Sequence, residues 1–270
     1  MQRADSILVC PKTGGGILLD GENGIAETGR SDMSYPIRDG IVDFLPGVRD
    51  LISVSYDRSA SRYDSYMKSG NLFWTLIRQI GWGIARTESY TAKVLSVIPD
   101  DFDGVLLDVP VGTGVLTLEK YARMKKATIL SVDYSIGMLQ QAKKRFEQRD
   151  IDNVIFVRGD VGSLPLRDSS VDFCVSMNGL HAFPRKVVAL SEIRRVLKPD
   201  GGFAGCFYVT GKRRLTDLFV WAILSKTGSF AEPFFDEAVA LSLLEKGFRI
   251  SSHGNNHSIF FFEASKRQSL

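Results

Sequence analysis

The sequence predicts an α/β protein: a doubly wound, mainly parallel sheet of seven strands, preceded by a small β unit and a helical segment. Three observations lead there. From Val105 onward, short aliphatic runs alternate with stretches of helical spacing, a pattern that packs as parallel strands with helices on both faces. The strand candidates are 104–109, 128–132, 154–158, 171–177, 202–209, 247–253 and 258–264, and the last two follow each other with no helix between them, as an antiparallel hairpin at the sheet edge requires. Finally, 105–114 reads as a buried strand entering a glycine turn that opens a helix, and a second short strand then ends at Asp133.

The elements follow in order. Residues 1–47 hold brief apolar pieces between turn residues, including the glycines at 14–16 and Asp39-Gly40. They predict a small β unit separate from the core, held by Ile7, Leu18, Ile37, Ile41 and Phe44. Residues 48–100 read as helical and aromatic, with Tyr56, Tyr63, Tyr66, Phe73, Trp74 and Trp82. Residues 101–270 form the sheet domain, in which Ser135 has the character of a helix N-cap. Val187, Leu190, Ile193 and Leu197 fall at helical spacing. An insertion at 211–235 carries Leu218, Phe219, Trp221, Phe230, Phe234 and Phe235. Apolar insertions at the carboxyl ends of parallel strands border the ligand crevice of this architecture, so the segment is expected to cap a substrate.

Composition narrows the class. The chain has 270 residues, 44% hydrophobic, with net charge +3 from 34 basic and 31 acidic side chains. That is ordinary globular composition and does not point to nucleic acid; the nearest basic cluster is Lys212-Arg213-Arg214. Three cysteines, Cys10, Cys174 and Cys206, make no disulfide framework, which suits a reducing compartment. No signal segment and no apolar run of about 18 residues is present, so the expectation is a cytoplasmic protein without a membrane span.

Strand, glycine turn, helix, strand and acid is the layout of a nucleoside-binding βαβ unit. The third glycine that a dinucleotide fingerprint needs falls on Thr117 or Val115, which argues against a nicotinamide-dependent dehydrogenase. Asp108, just before the turn, would repel a pyrophosphate and attract the amino group of a methionine-like tail. The run Asp108-x-Pro110-x-Gly112-x-Gly114 resembles motif I of the class I S-adenosylmethionine (SAM) methyltransferases, a Rossmann-like family, and the chain looks most like its type 11, ubiquinone-menaquinone branch. Pro110 stands where the family often has glycine. Later motifs agree in order. Asp133-Tyr134-Ser135 with Met138 resembles the second strand end, and implies an acid on the ribose and apolar flanks to the adenine. Gly159-Asp160-Val161 resembles the third, with the acid on the adenine amino group. Asn178-Gly179-Leu180-His181 resembles the exit loop of the fourth strand, and 195–202 the helix end and turn before the fifth. The resemblance thus implies SAM as methyl donor, S-adenosylhomocysteine as product, and cofactor contacts from Asp108, Pro110, Gly112, Gly114, Asp133, Tyr134, Met138, Asp160, Val161 and Asn178.

Residues 1–47 also resemble the zinc ribbon that precedes some methyltransferases, and the zinc-ribbon activator of tRNA methyltransferases. Cys10 stands alone, with Thr13 in its partner's place, so no zinc is expected. In the family the helices before the first core strand form a lid, which makes Tyr56 and Tyr63 candidates for the substrate pocket, beside Trp221 in the cap insertion and His181 after the fourth strand. No catalytic base is assigned; His181 is the histidine nearest the expected methyl group. No Asn-Pro-Pro-Tyr-type motif follows the fourth strand. The expectation is methyl transfer to a small, partly apolar molecule. The alternatives are an RNA base as acceptor, or a catalytically silent binding module.

Overall fold

The computed structural model describes residues 6–20, 24–28, 33–48, 88–226 and 230–268. Each of the seven core runs is a strand: β5 (Val105–Asp108), β6 (Thr128–Asp133), β7 (Val154–Arg158), β8 (Val171–Met177), β9 (Leu197–Tyr208), β10 (Phe248–Asn256) and β11 (Ile259–Lys266). Four more precede them: β1 (Ile17–Asp20), β2 (Ile25–Thr28), β3 (Ser34–Arg38) and β4 (Ile41–Asp43). All eleven join one sheet in the order β1-β2-β3-β4-β7-β6-β5-β8-β9-β11-β10. The strands from β4 to β9 in that order pair in parallel, and β11 runs antiparallel between β9 and β10. The order reverses at β5, so β6 and β8 lie on either side of it, and beyond their carboxyl ends is where open sheets of this kind bind ligands.

Both faces are covered. Successive residues of β5 alternate between two cores, Val105 and Leu107 in one and Leu106 in the other, as the period of a strand requires. The first core takes α4 (Lys186–Val196) through Ala189, Leu190 and Ile193, and α6 (Glu237–Glu245) through Ala240 and Leu244. The second takes α1 (Glu88–Leu95), α2 (Leu118–Tyr121) and α3 (Ile136–Glu147) through Val94, Leu118, Tyr121, Leu139 and Phe146. The remaining helical segment is α5 (Arg214–Phe219), which runs on into a π-turn at Val220–Leu224. No described helix is long and apolar enough to cross a membrane.

The N-terminal strands were expected to stand apart, but β4 pairs with β7 and continues the core sheet. Asp39 and Gly40, at φ 52° and 73°, close the β3–β4 hairpin in the left-handed region that a two-residue turn needs, and this aims β4 along β7. Leu18 is a correction: it is 61% exposed, while Ile17 beside it is fully buried, because side chains alternate along β1 and the inward set begins one residue earlier. The expected ribbon cysteine is buried: the Cys10 thiol lies 3.1 Å from the Tyr35 hydroxyl. The turn after it closes through Gly14 N–H to the Cys10 carbonyl and Cys10 N–H to the Gly15 carbonyl, both at 2.8 Å. Among the described residues, no group of three or more His, Cys, Asp or Glu side chains is placed to hold a metal.

Candidate cofactor site

The turn after β5 is fastened to its neighbours before any ligand arrives. Val109 N–H donates to the Val175 carbonyl on β8, and Val111 N–H to the Val132 carbonyl on β6, both at 3.0 Å. Pro110 sits between them after a cis peptide bond, so the donor it lacks is not one this turn uses. Its ring also meets the β8 exit loop: a Cβ on Gly179 would fall 2.5 Å from Pro110 Cδ and 2.3 Å from Ser176 Oγ. Only glycine lets these two strand ends approach so closely.

The two turn glycines do different things. Gly114, at φ 69°, lies under α3, and a Cβ there would be 2.5 Å from the ring of the fully buried Phe146. Gly112, at φ 57°, faces open space: nothing lies within 4 Å of where its Cβ would be. One glycine permits helix packing, and the other leaves the turn backbone bare on its outer side.

Two acids frame the turn, and they are satisfied differently. Asp133 ends β6 with both oxygens held by backbone: Oδ2 accepts from Gly112 N–H at 2.8 Å and Oδ1 from Ser135 N–H at 2.9 Å. A carboxylate oriented by backbone at this strand end is the group that receives ribose hydroxyls in nucleoside-binding βαβ units. Ser135 itself caps α3 by accepting from Met138 N–H at 3.1 Å. Asp108 is fully buried. Its Oδ2 accepts from the Tyr121 hydroxyl at 2.9 Å and from Thr117 Oγ1 at 3.2 Å, while Oδ1 has no hydrogen-bond partner. Burial pushes its pKa up to about 7, and the nearby Asp133 charge adds to this against the two hydroxyl donors. A buried acceptor without a partner is costly unless something supplies a donor. A cationic group entering from the Gly112 side would do so. The residues present therefore fit the amino end of a methionine-like tail at Asp108 and a ribose at Asp133.

Thr117 and Tyr121 escaped the sequence analysis. Their signal was there: polar residues at i and i+4 share one face of α2, pointing back at the strand end.

The other strand ends complete the rim. Asp160, after β7, accepts from Gly162 N–H at 2.7 Å and from Arg185 Nη2 at 3.1 Å. Asn178, after β8, takes a left-handed φ of 58° and donates its N–H to the Cys206 carbonyl at 2.9 Å. Met138 is buried, and Tyr134 and Val161 are half-buried. The structure thus brings Asp108, Pro110, Gly112, Gly114, Asp133, Tyr134, Met138, Asp160, Val161 and Asn178 to one end of the sheet. Tyr56 and Tyr63 lie outside the described residues. Trp221 points to solvent from the π-turn, 61% exposed, with Lys226 over its ring.

His181 is a packing residue. Its ring stacks on Phe230 at 4.1 Å, and Nδ1 accepts from Tyr208 N–H at 3.0 Å. Desolvation, with Lys186 nearby, pushes its pKa down to about 3, which leaves it neutral and a weak base. Ala231 locks the same loop, donating its N–H to the His181 carbonyl at 2.9 Å and accepting from Lys186 Nζ at 2.5 Å. Tyr208 holds the front of the cap by donating to Asp217 Oδ1 at 2.6 Å.

Comparison with known proteins decides the family. A methyltransferase domain family model matches residues 106–201, the stretch from β5 to the turn before the body of β9. Residues 106–201 thus match a methyltransferase domain. It is similar to demethylmenaquinone methyltransferase of Staphylococcus aureus, at 38% identity over 96 residues, 35% of this chain and 39% of that protein. The chain spans less than half the length of the curated relatives it matches, between 31% and 40% for the first three. Among solved structures it shares its fold with a chain from the complex of the Haloferax volcanii Trm112 methyltransferase activator and a methyltransferase. That match has a TM-score of 0.60 and 19% identity, covering 82% of this chain and 100% of that one. It also shares the fold with Haemonchus contortus phosphoethanolamine N-methyltransferase 2 in complex with SAM. There the TM-score is 0.62 at 16% identity, covering 87% and 63% of the two chains.

Proposed function

We propose that this protein transfers a methyl group from SAM to a small, partly apolar molecule, without a metal. The observation that carries the cofactor assignment is the Asp108 Oδ1, buried without a hydrogen-bond partner at the end of β5, just before the turn in which Gly112 faces open space. The donor supplies the activated methyl on its sulfonium. Asp108 takes the amino group of its tail, Asp133 both ribose hydroxyls, and Asp160 the adenine amino group, with Tyr134, Met138 and Val161 flanking the base. The protein's remaining task is to hold an acceptor in line with that methyl and to exclude water. His181 is not used as a base, since its Nδ1 is already an acceptor and its ring stays neutral.

Two observations favour a small, partly apolar acceptor. The cap between β9 and α6 shows Leu215, Leu218, Trp221 and Ile223 to solvent. The relative from Staphylococcus aureus is named for a demethylmenaquinone. The test begins with calorimetric titration of S-adenosylhomocysteine and NAD. Micromolar binding of the first and none of the second is expected; no binding of S-adenosylhomocysteine rejects the cofactor assignment. Methyl transfer from labelled SAM is then measured onto quinols and onto RNA. Transfer to RNA alone rejects the acceptor class. Binding without transfer to either identifies the silent module.

A further inference from the structure

Arg158 is the last residue of β7 and one of the few buried cations in the described structure, with its side chain 8% exposed. It occupies a row across three strands, paired in register with Asp43 on β4 and with Asp133 on β6. Its guanidinium reaches both ways. Nε donates to the Tyr134 carbonyl at 3.1 Å, next to the acid assigned to the ribose. Nη1 lies 3.3 Å and 3.4 Å from the Asp43 carboxylate oxygens and donates to the Leu45 carbonyl at 3.1 Å. Nη2 donates to the Val48 carbonyl at 2.8 Å. The backbone repeats the link: Phe44 N–H donates to the Arg158 carbonyl and Gly159 N–H to the Asp133 carbonyl, both at 3.0 Å.

A planar fork with every nitrogen engaged has one orientation. Four of its contacts are to the N-terminal segment, and the remaining one grips the loop after β6. A sheet edge alone needs none of this, since β4 and β7 already share a ladder.

We propose that Arg158 is a positioning residue. It fixes the Asp133–Tyr134 strand end in the form that receives the nucleoside, with its own fork held in place by Asp43, Leu45 and Val48. The inference rests on the cofactor assignment above. It differs from it in predicting an effect that can be read without ligand.

The test compares full-length Arg158→Gln and Arg158→Lys with Ile17→Ala, which weakens the N-terminal hairpin without touching the fork. Two quantities are read: the Kd for S-adenosylhomocysteine, and hydrogen exchange of the Gly112 and Ser135 amides in the ligand-free protein, both of which donate to Asp133. Arg158→Gln is expected to weaken binding about tenfold and to speed exchange at both amides by a similar factor. Arg158→Lys should fall between it and the parent, because it keeps the charge and loses the fork. Ile17→Ala should lower Tm yet leave both quantities within about twofold. Unchanged exchange in both Arg158 variants overturns the proposal, as does an Ile17→Ala effect equal to theirs. If the glutamine variant does not fold, the lysine variant decides on the same criteria. If the parent binds no S-adenosylhomocysteine, the cofactor assignment fails and exchange alone still decides the positioning role.

Discussion

The glycine turn and the cap meet at the same end of the sheet and are built on opposite terms. In the turn, backbone donors from Val109, Val111 and Gly112 are committed to neighbouring strands, and the Asp108 Oδ1 just before it is left without a partner. In the cap, the anchors lie at its two ends, Tyr208 with Asp217 and His181 with Phe230, while Leu215, Leu218 and Trp221 between them face water. A rigid frame with one defined gap suits a ligand of fixed structure. A surface of loosely held apolar side chains suits one defined by shape and hydrophobicity. On the function proposed above, the donor site is specified by the strands, and the acceptor site by the insertion.

The sharpest way to break this contrast is inside the turn. Gly114→Ala is expected to cost about 4 kcal/mol, combining left-handed strain with a clash against the Phe146 ring that a packed core cannot relieve. Gly112→Ala faces open space and should cost about 1 kcal/mol of stability while blocking the cofactor. Chemical denaturation separates the two, and equal losses would refute the division of roles.

Next in size is a pH effect. The folded protein holds the Asp108 proton up to about 7, against 3.8 for the free side chain. The folded state thus binds more protons between those values, and ligand-free stability should fall as pH rises through that window, by on the order of 4 kcal/mol. Asp108→Asn should flatten this slope. Cofactor binding near pH 6 should release close to one proton, visible in calorimetry across buffers of different ionisation enthalpy. A buffer-independent heat would mean that no cation reaches Asp108.

Asp133→Ala should weaken S-adenosylhomocysteine by about 2–3 kcal/mol, read as Kd. The smallest effect is expected in the cap. Trp221→Ala should change stability by less than about 0.5 kcal/mol, while raising the KM for the acceptor and leaving the Kd for S-adenosylhomocysteine unchanged. A large loss of stability would mean that Trp221 packs in solution and does not belong to the acceptor surface.

The contrast also explains what could be read from the chain. Strand runs, turn glycines and strand-end acids are local in sequence, so β5 to β8 and their tips were legible to within a residue or two. What supports them is not local. Thr117 and Tyr121 matter because of where α2 folds back, and Arg185 because of where α4 begins. Lys186 and Ala231 bond across 45 residues of chain. Leu18 failed for a smaller reason: in a four-residue strand, two apolar neighbours carry no phase until a partner strand chooses the face. His181, left without a catalytic role in the sequence, stacks on Phe230 and is buried, contacts that the sequence could not place.

The pairing of β4 with β7 has a consequence for the making of the protein. Asp43 and Arg158 are 115 residues apart in the chain. At a synthesis rate of about 5–20 residues per second, the N-terminal hairpin leaves the ribosome roughly 6–23 s before the strand that completes its edge exists. During that interval its last strand offers open hydrogen bonds to any passing β-strand. The core is thus finished at the end that is made first, by a residue that arrives late, and the nascent chain has the longest exposure where a chaperone would gain most by binding.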